Sequence, residues 1–319
     1  MSVIKVGLIA VVFSLPLRAQ SSNDLISDSA RAYLDGALSM IESNAYYADR
    51  VAWIDVTDSC YAHAMNANSP KDTYEAIRFA LRNLNDHHSK FITPEQMQRV
   101  AHGTVEQSPK VIVQRTPEGI GYICMPGFSS LDQFQIALYA TSLSIRLDSI
   151  ARTGIRGWIL DLRRNSGGNM WPMLAGLCWF LRSDSLGAFV YRNGGKVWWG
   201  RPAGWPPPDS SIADVFSKLP LGVLQSDTTA SSGEAILLAV RGRPNTRTFG
   251  RASSGRTSGN VVLPLPDGAA IVLTTSLYAD RFGRCYGQPI YPDVAIQLEG
   301  NIEDGAYAQA VNWVLEAGR

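Results

Sequence analysis

Three short segments of the chain carry residue types at spacings that can do chemistry. The first, Thr229-Ala230-Ser231-Ser232-Gly233-Glu234, stands between a predicted strand at Gly222 to Gln225 and a predicted helix at Ala235 to Val240. A serine at the tip of a sharp strand-to-helix turn is exposed and has backbone N–H groups beside it, which suits an acyl-transfer nucleophile. The spacing Ser231-x-x-Glu234 fits a helix capping box equally well, so position alone leaves nucleophile and cap both open. The second segment, Asp161-Leu162-Arg163-Arg164-Asn165-Ser166-Gly167-Gly168, runs from an apolar strand into a Gly-Gly turn and then a helix. Glycines admit a close approach of backbone to ligand, and N–H groups opening a helix can hold an anion or a developing oxyanion. A strand-to-helix connection needs flexible residues in any case. The third is Asp86-His87-His88-Ser89, at the end of an amphipathic helix. A serine nucleophile needs a base, and histidine ionises in the right range. The four histidines are His63, His87, His88 and His102. His63 lies within a helical run and His102 in a linker, so the adjacent pair is the candidate; the alternative is a surface pair favoured by the helix dipole.

The elements that must position these segments fall into two textures. From Asn23 to about Val100 the pattern is helical: Tyr33, Leu34, Ala37, Leu38 and Ile41 mark one apolar face at a 3.6-residue period, and Tyr74, Ile77, Leu81 and Leu84 mark another. Thr93-Pro94-Glu95-Gln96 predicts a further helix start, with Pro at the first position and a capping box. After about residue 105 short apolar segments (Val111 to Val113, Ile120 to Cys124, Trp158 to Leu162) alternate with helical patterns, the signature of an α/β fold. Ser130 and Gln133 predict a capping box for a helix reaching about Ala151, and Asn169 to Leu181 reads as the next helix. Arg201 to Ser210, RPAGWPPPDS, reads as a long surface loop, because its prolines remove donors and fix φ.

Composition narrows the classes of function. The 319 residues are 45% hydrophobic and 18% charged, ordinary for a globular protein, and the net charge of +1 provides no bulk field for nucleic acid or an anionic membrane. The opening MSVIKVGLIAVVFSLPLRAQ has one early lysine, an apolar run from Val6 to Leu15, Pro16 and then small or polar residues, the order of a secretory signal peptide. Cleavage near Ala19 or Gln20 is expected, leaving a periplasmic or extracellular protein with no membrane insertion. Cys60, Cys124, Cys178 and Cys285 show no CxxC or His-flanked spacing, so no metal site is expected, and Cys60 and Cys178 read as buried free thiols.

Taken together, LNDHHSKF, WILDLRRNSGG, TASSGEAILLAV, FGRASSGRTSG and PDGAAIVLTTSLYADRFGRCYGQPIYPD, between roughly Tyr33 and Val294, resemble in order and spacing the C-terminal-processing, or tail-specific, serine peptidases. The resemblance implies a crotonase-like ββα spiral catalytic domain. It makes Ser231, three residues before Glu234, the nucleophile, and puts the N–H groups of Gly168 and Ser232 in the oxyanion hole. In the lysine-based members a lysine roughly 25 residues past the serine is the general base; the matching residue here is Arg256, and no lysine follows Lys218. Arginine stays protonated and cannot take the serine's proton. The chain instead resembles the branch of the tricorn core and the interphotoreceptor retinoid-binding protein repeats, in which His88, followed by Ser89, is the base. That branch's carboxylate maps near Tyr286, which is not acidic; Asp280 is the substitute.

These readings define the expected protein: a signal peptide at 1–20, an N-terminal helical subdomain at 21–105 and a peptidase catalytic domain at 106–319, with only about 20 residues between the His motif and the first strand, too few for a PDZ domain. Its substrate is a peptide or protein, with no metal or organic cofactor implied, and Arg256 is expected to hold a substrate carboxylate. Activity is expected to rise through an ionisation at about pH 6 to 7. The rival is an inactive family member that binds a hydrophobic small molecule or a peptide in the same cleft.

Overall fold

The computed structural model of the chain describes residues 26–102, 110–130, 132–181, 185–200, 216, 218–296 and 302–318. The expected signal peptide, the expected domain boundary at 105/106 and the proline-rich segment 201–210 lie outside the described residues. The elements run as α1 (Asp28–Asn44), α2 (Trp53–His63), α3 (Tyr74–Asn83), β1 (Lys90–Ile92), α4 (Pro94–His102), β2 (Ile112–Arg115), β3 (Gly121–Cys124), α5 (Gln133–Ala151), β4 (Trp158–Asp161), α6 (Met170–Gly176), β5 (Gly187–Tyr191), β6 (Lys196–Trp199), β7 (Leu221–Gln225), α7 (Ser232–Arg241), β8 (Thr246–Gly250), β9 (Ser258–Pro264), β10 (Ala270–Asp280), β11 (Val294–Ala295) and α8 (Ile302–Ala317).

The strands form two sheets. One has the order β11-β8-β7-β4-β3-β2, parallel throughout except for the antiparallel edge pair β2–β3. Its strands β4 and β7 are buried at every position, as expected of parallel strands covered on both faces. On one face Trp158, Leu160 and Val223 pack with Leu143, Met173 and Ile236 from α5, α6 and α7. On the other, Ile159, Leu224 and Phe249 pack with Ala310 and Val314 of α8. The second sheet is antiparallel, order β1-β10-β5-β6, with β9 also paired to β10. Thus β10 is its hub.

The N-terminal helices bury the predicted faces. Tyr33, Leu34, Ala37, Leu38 and Ile41 of α1, with Ile77 and Leu81 of α3, join Leu265, Ala269, Ile271 and Leu273 in one core, so these helices and the β9–β10 hairpin are a single packed unit. A polar lock reinforces it: Tyr33 and Tyr74 donate to the two carboxylate oxygens of Asp267 at 2.8 and 2.5 Å, while the Ala269 N–H donates at 3.0 Å. Burial alone would raise the Asp267 pKa, but these donors hold it below the usual carboxylate range. Asp267→Asn is expected to cost about 2 kcal/mol in urea unfolding at pH 7. Because the folded pKa is depressed, that contribution is present above the unfolded pKa near 4 and is lost as pH falls below it; equal stability of the two proteins at pH 7 would contradict the lock.

Local capping is partly as expected. Thr93 and Gln96 form both halves of their box, Thr93 N–H to Gln96 Oε1 at 2.9 Å and Gln96 N–H to Thr93 Oγ1 at 3.3 Å. At α5 the cap is Asp132 rather than Ser130: Asp132 Oδ1 accepts from the Gln135 N–H at 2.9 Å, and Ser130 Oγ only accepts from Asp132 N–H. A carboxylate at the N-cap also complements the helix dipole, which a hydroxyl does not. The predicted helix to Leu181 ends at Gly176, beyond which N–H groups bond carbonyls three residues back. Cys60 and Cys178 are buried and form no disulfide.

Candidate active site

Ser231 occupies the bend between β7 and α7 with φ 52° and ψ −116°. The N-caps Ser27, Asp132 and Asn169, whose side chains also accept from a helix N–H, have φ of −61°, −69° and −89° with extended ψ. Extended backbone is all that a cap requires. A positive φ at a non-glycine residue costs of order 1–3 kcal/mol and persists only where its surroundings impose it. Ser231 is a cap as well, since its N–H donates to Glu234 Oε2 at 2.8 Å within a reciprocal box. Capping explains the hydrogen bond but leaves the strain unexplained.

Glu234 is fully buried, and its Oε1 accepts from Ser253 Oγ at 2.5 Å and from the Gly255 N–H at 2.9 Å. Burial pushes its carboxyl up, and the four donors directed at it, from Ser253, Ser231, Gly255 and Arg256, pull the other way. One carboxylate thus ties the serine elbow to the loop carrying Arg256. From the other side, the Ala230 N–H donates to Asn165 O at 2.9 Å and Thr229 Oγ1 to Leu162 O at 2.9 Å, stitching the elbow to the end of β4. Buried Asn165 holds the Gly-Gly turn, its Oδ1 accepting from the Gly167 N–H at 3.1 Å.

That turn lies directly against the serine. A Cβ on Gly167, at φ 108°, would sit 2.9 Å from Ser231 Cβ and 3.4 Å from its Oγ; one on Gly168, at φ 121°, would sit 2.1 Å from Phe128 O. Any side chain at either position would displace backbone or fill the space over the hydroxyl. Ser232 Oγ donates to Gly168 O at 2.5 Å, fixing the two expected oxyanion donors relative to each other. Among the described residues no hydrogen bond uses the N–H of Gly168 or of Ser232. Both are therefore available to an incoming oxygen.

His88 comes from the end of α3 through a turn whose Asn85 and His87 have φ of 52° and 54°. Asp86 builds the turn: its Oδ1 accepts from the N–H groups of His88 and Ser89 at 3.1 and 2.9 Å, and its Oδ2 from Ser89 Oγ at 2.5 Å. The His88 ring is half-buried, with Nδ1 2.7 Å from Ser258 Oγ. Burial, then the nearby Arg256 guanidinium, and last Lys90 push the imidazole pKa down to about 4, against the pull of Asp86. The ionisation expected at about pH 6 to 7 is thereby moved well down, because a protonated ring would be desolvated beside a cation. No hydrogen bond among the described residues joins His88 to Ser231. Tyr278, a buried phenol, lies against Ser231, and its own backbone N–H donates to Thr257 O at 2.9 Å, next to Ser258.

Among the described residues no hydrogen bond joins Asp280 to His88. Asp280 closes the turn after β10, with Oδ1 accepting from the Phe282 and Arg284 N–H groups at 2.9 and 3.0 Å and Oδ2 from Tyr286 at 3.2 Å. A carboxylate so engaged organises a loop, and the group on the imidazole is Ser258. Sequence reasoning passed over Ser258 and Tyr278; the available hint was that Ser258 lies two residues beyond the position where a base was sought. Arg256 is exposed and near enough to His88 to bear on its charge.

An α/β fold that sets a strained serine under a glycine turn, with a half-buried imidazole in the turn before the adjoining sheet, has the organisation of a peptidase. The chain belongs to Peptidase family S41, whose family model matches residues 119–296. It is 26% identical over 300 residues to the nisin-resistance protein of Lactococcus lactis subsp. lactis, covering 91% of this chain and 88% of that relative. It is 25% identical over 191 residues to the carboxy-terminal-processing protease of Bartonella bacilliformis, covering 59% of this chain and 41% of the relative. Among solved structures it is similar to a lipoprotein from Streptococcus agalactiae, with TM-score 0.77, 26% identity, and 96% and 99% of the two chains covered. The photosystem II D1 C-terminal processing protease shares the fold, with TM-score 0.64, 15% identity and 85% and 94% coverage.

Proposed function

We propose that the chain is a serine peptidase that cleaves through an acyl-enzyme on Ser231 with His88 as general base. The observation that carries this reading is the strained backbone of Ser231, imposed by Glu234 on one side and the Asn165 turn on the other. In the required tautomer His88 Nδ1–H donates to Ser258 Oγ, leaving Nε2 as the base. Nε2 takes the Ser231 Oγ proton as Oγ attacks the scissile carbonyl carbon, and the N–H groups of Gly168 and Ser232 stabilise the resulting oxyanion. The imidazolium then gives its proton to the leaving amine as the C–N bond breaks. Water, deprotonated by His88, attacks the ester and Ser231 departs with its proton restored. Ser258 orients the ring in the place where Asp280 was expected.

In this reading residues 21–105 form a helical subdomain and 106–319 a catalytic domain of the crotonase-like ββα spiral type, supported by the parallel sheet with helices on both faces. The protein is exported to the periplasm or exterior. The opening apolar segment supports that, as do the relatives named a lipoprotein and a nisin-resistance protein. Among the described residues no helix is long and apolar enough to cross a membrane. The second of those names also makes nisin one substrate to test. The deciding experiment is labelling with a fluorophosphonate probe, followed by mass spectrometry of the adduct. The reading requires the adduct on Ser231; absence of labelling in folded protein would instead favour an inactive binder that uses the same cleft.

Arg256 is the proposed substrate-binding residue, its guanidinium forming a bidentate pair with a free C-terminal carboxylate near the scissile bond. Wild type is then expected to cleave a peptide as the free acid in preference to its amide, by an amount equivalent to about 1.5–3 kcal/mol, and Arg256→Met to erase most of the preference. Equal cleavage of acid and amide by wild type would remove this role.

A further inference from the structure

We infer that the cavity between the α1–α2 connection and the loop after β10 is a subsite for an acidic, aromatic-bearing segment of the peptide substrate; this rests on the peptidase reading above. The cavity has a volume of about 830 Å³ and is walled by Tyr47, Arg50, Phe282, Arg284, Tyr286 and Tyr291 among others. Its charge is uneven. Asp280 is engaged by two backbone N–H groups and Tyr286, and Arg241, also in the wall, is neutralised by Asp293 at 2.6 Å. Arg50 and Arg284 have no carboxylate within ion-pair distance among the described residues. Each guanidinium instead lies over a ring, Arg50 over Tyr47 at 4.3 Å and Arg284 over Tyr286 at 5.6 Å. Stacking on a ring occupies the face of a guanidinium and leaves its in-plane N–H donors free, which is the geometry for receiving a carboxylate. At the rim Phe282 is 80% and Tyr291 71% exposed, an open aromatic surface beside the two cations. Arginine with tyrosine and phenylalanine is the composition of peptide-binding hot spots, and a volume of this size exceeds what a small inorganic anion needs.

The cavity and the catalytic centre are built on the same strand, β10. Leu277 lines the cavity and is the register partner of Ser258, the residue on His88 Nδ1. The Tyr286 N–H donates to Tyr278 O at 2.8 Å, and Thr257 Oγ1 donates to Gln288 O at 3.2 Å. Strand β10 thus contributes residues to both the cavity and the catalytic centre.

The test is fluorescence anisotropy on the Ser231→Ala protein, which keeps binding separate from catalysis. The probes are a fluorescein-labelled octapeptide amide with two Glu flanking a Phe, and its Gln counterpart. The Glu peptide is expected to bind at least tenfold more tightly. Arg50→Gln/Arg284→Gln, both at exposed positions, should remove most of that ratio without moving the unfolding midpoint, and Arg50→Glu/Arg284→Glu should invert it toward a Lys-containing peptide. Equal binding of the Glu and Gln peptides, or a ratio unchanged in the double variants, would overturn the subsite. If the preference is found but wild type cleaves neither peptide nor any other, the subsite stands and the peptidase reading falls; cleavage by wild type without discrimination has the opposite meaning.

Discussion

Ser231→Ala is expected to lower kcat/KM for a peptide substrate by about 10⁴-fold or more and to abolish fluorophosphonate labelling, since removing a serine nucleophile forfeits the acyl-enzyme route altogether. Its effect on stability should be small. The Glu234 carboxylate would still receive the backbone N–H of residue 231, so only the side-chain half of the box is lost, typically about 1 kcal/mol. Ser231→Gly should be equally inactive yet more stable than Ser231→Ala by about 1 kcal/mol, because glycine adopts φ 52° without steric cost. That pairing separates a strained nucleophile from an ordinary cap: urea unfolding of the two variants reads the strain, and hydrolysis reads the chemistry. Retention of activity in either variant would end the proposal.

His88→Ala should lower kcat/KM by about 10³-fold, within the range for loss of a general base, whereas His87→Ala should leave most activity. The pH dependence carries the sharper signature. With the folded pKa near 4, the imidazole is neutral and able to accept a proton throughout the neutral range, so the acid limb of kcat/KM should lie near pH 4. Arg256→Met should move that limb upward by a fraction of a unit, because the guanidinium is the second cause of the depression, after burial. Stability must follow the same linkage. Between an unfolded pKa of about 6.5 and the folded value, the unfolded chain binds a proton that the native state refuses, so unfolding free energy falls as pH drops through that interval. The slope should flatten in His88→Ala. A limb found at pH 6 to 7 would mean that the ring is more solvated than the geometry describes.

How much of this was readable from residues alone depends on the range of the interaction. The apolar faces of α1 and α3 and the Thr93–Gln96 box follow from neighbours within a few positions, and the 3.6-residue period and the capping geometry carry that information along the chain itself. The serine turn and the Gly-Gly turn were likewise evident as a nucleophile or cap and an anion-holding bend. The Ser130 expectation went astray for a local reason, since oxygen-bearing side chains two residues apart compete for the same donors and only the realised backbone chooses between them.

The tertiary structure alone decided what those segments become when brought together. His88 meets Ser258 across 170 residues, and Glu234 gathers donors from both its own turn and the Arg256 loop; no periodicity encodes either meeting. The positive φ of Ser231 arises from contacts on both sides of the elbow, and so it appears only once the sheet and helix have closed around it. The His88 pKa is likewise a property of burial and of a guanidinium that is distant in sequence. Residue type supplied the functional groups and their local turns. Desolvation, long-range pairing and imposed strain, which make a serine and a histidine reactive or inert, depend on which segments pack against which.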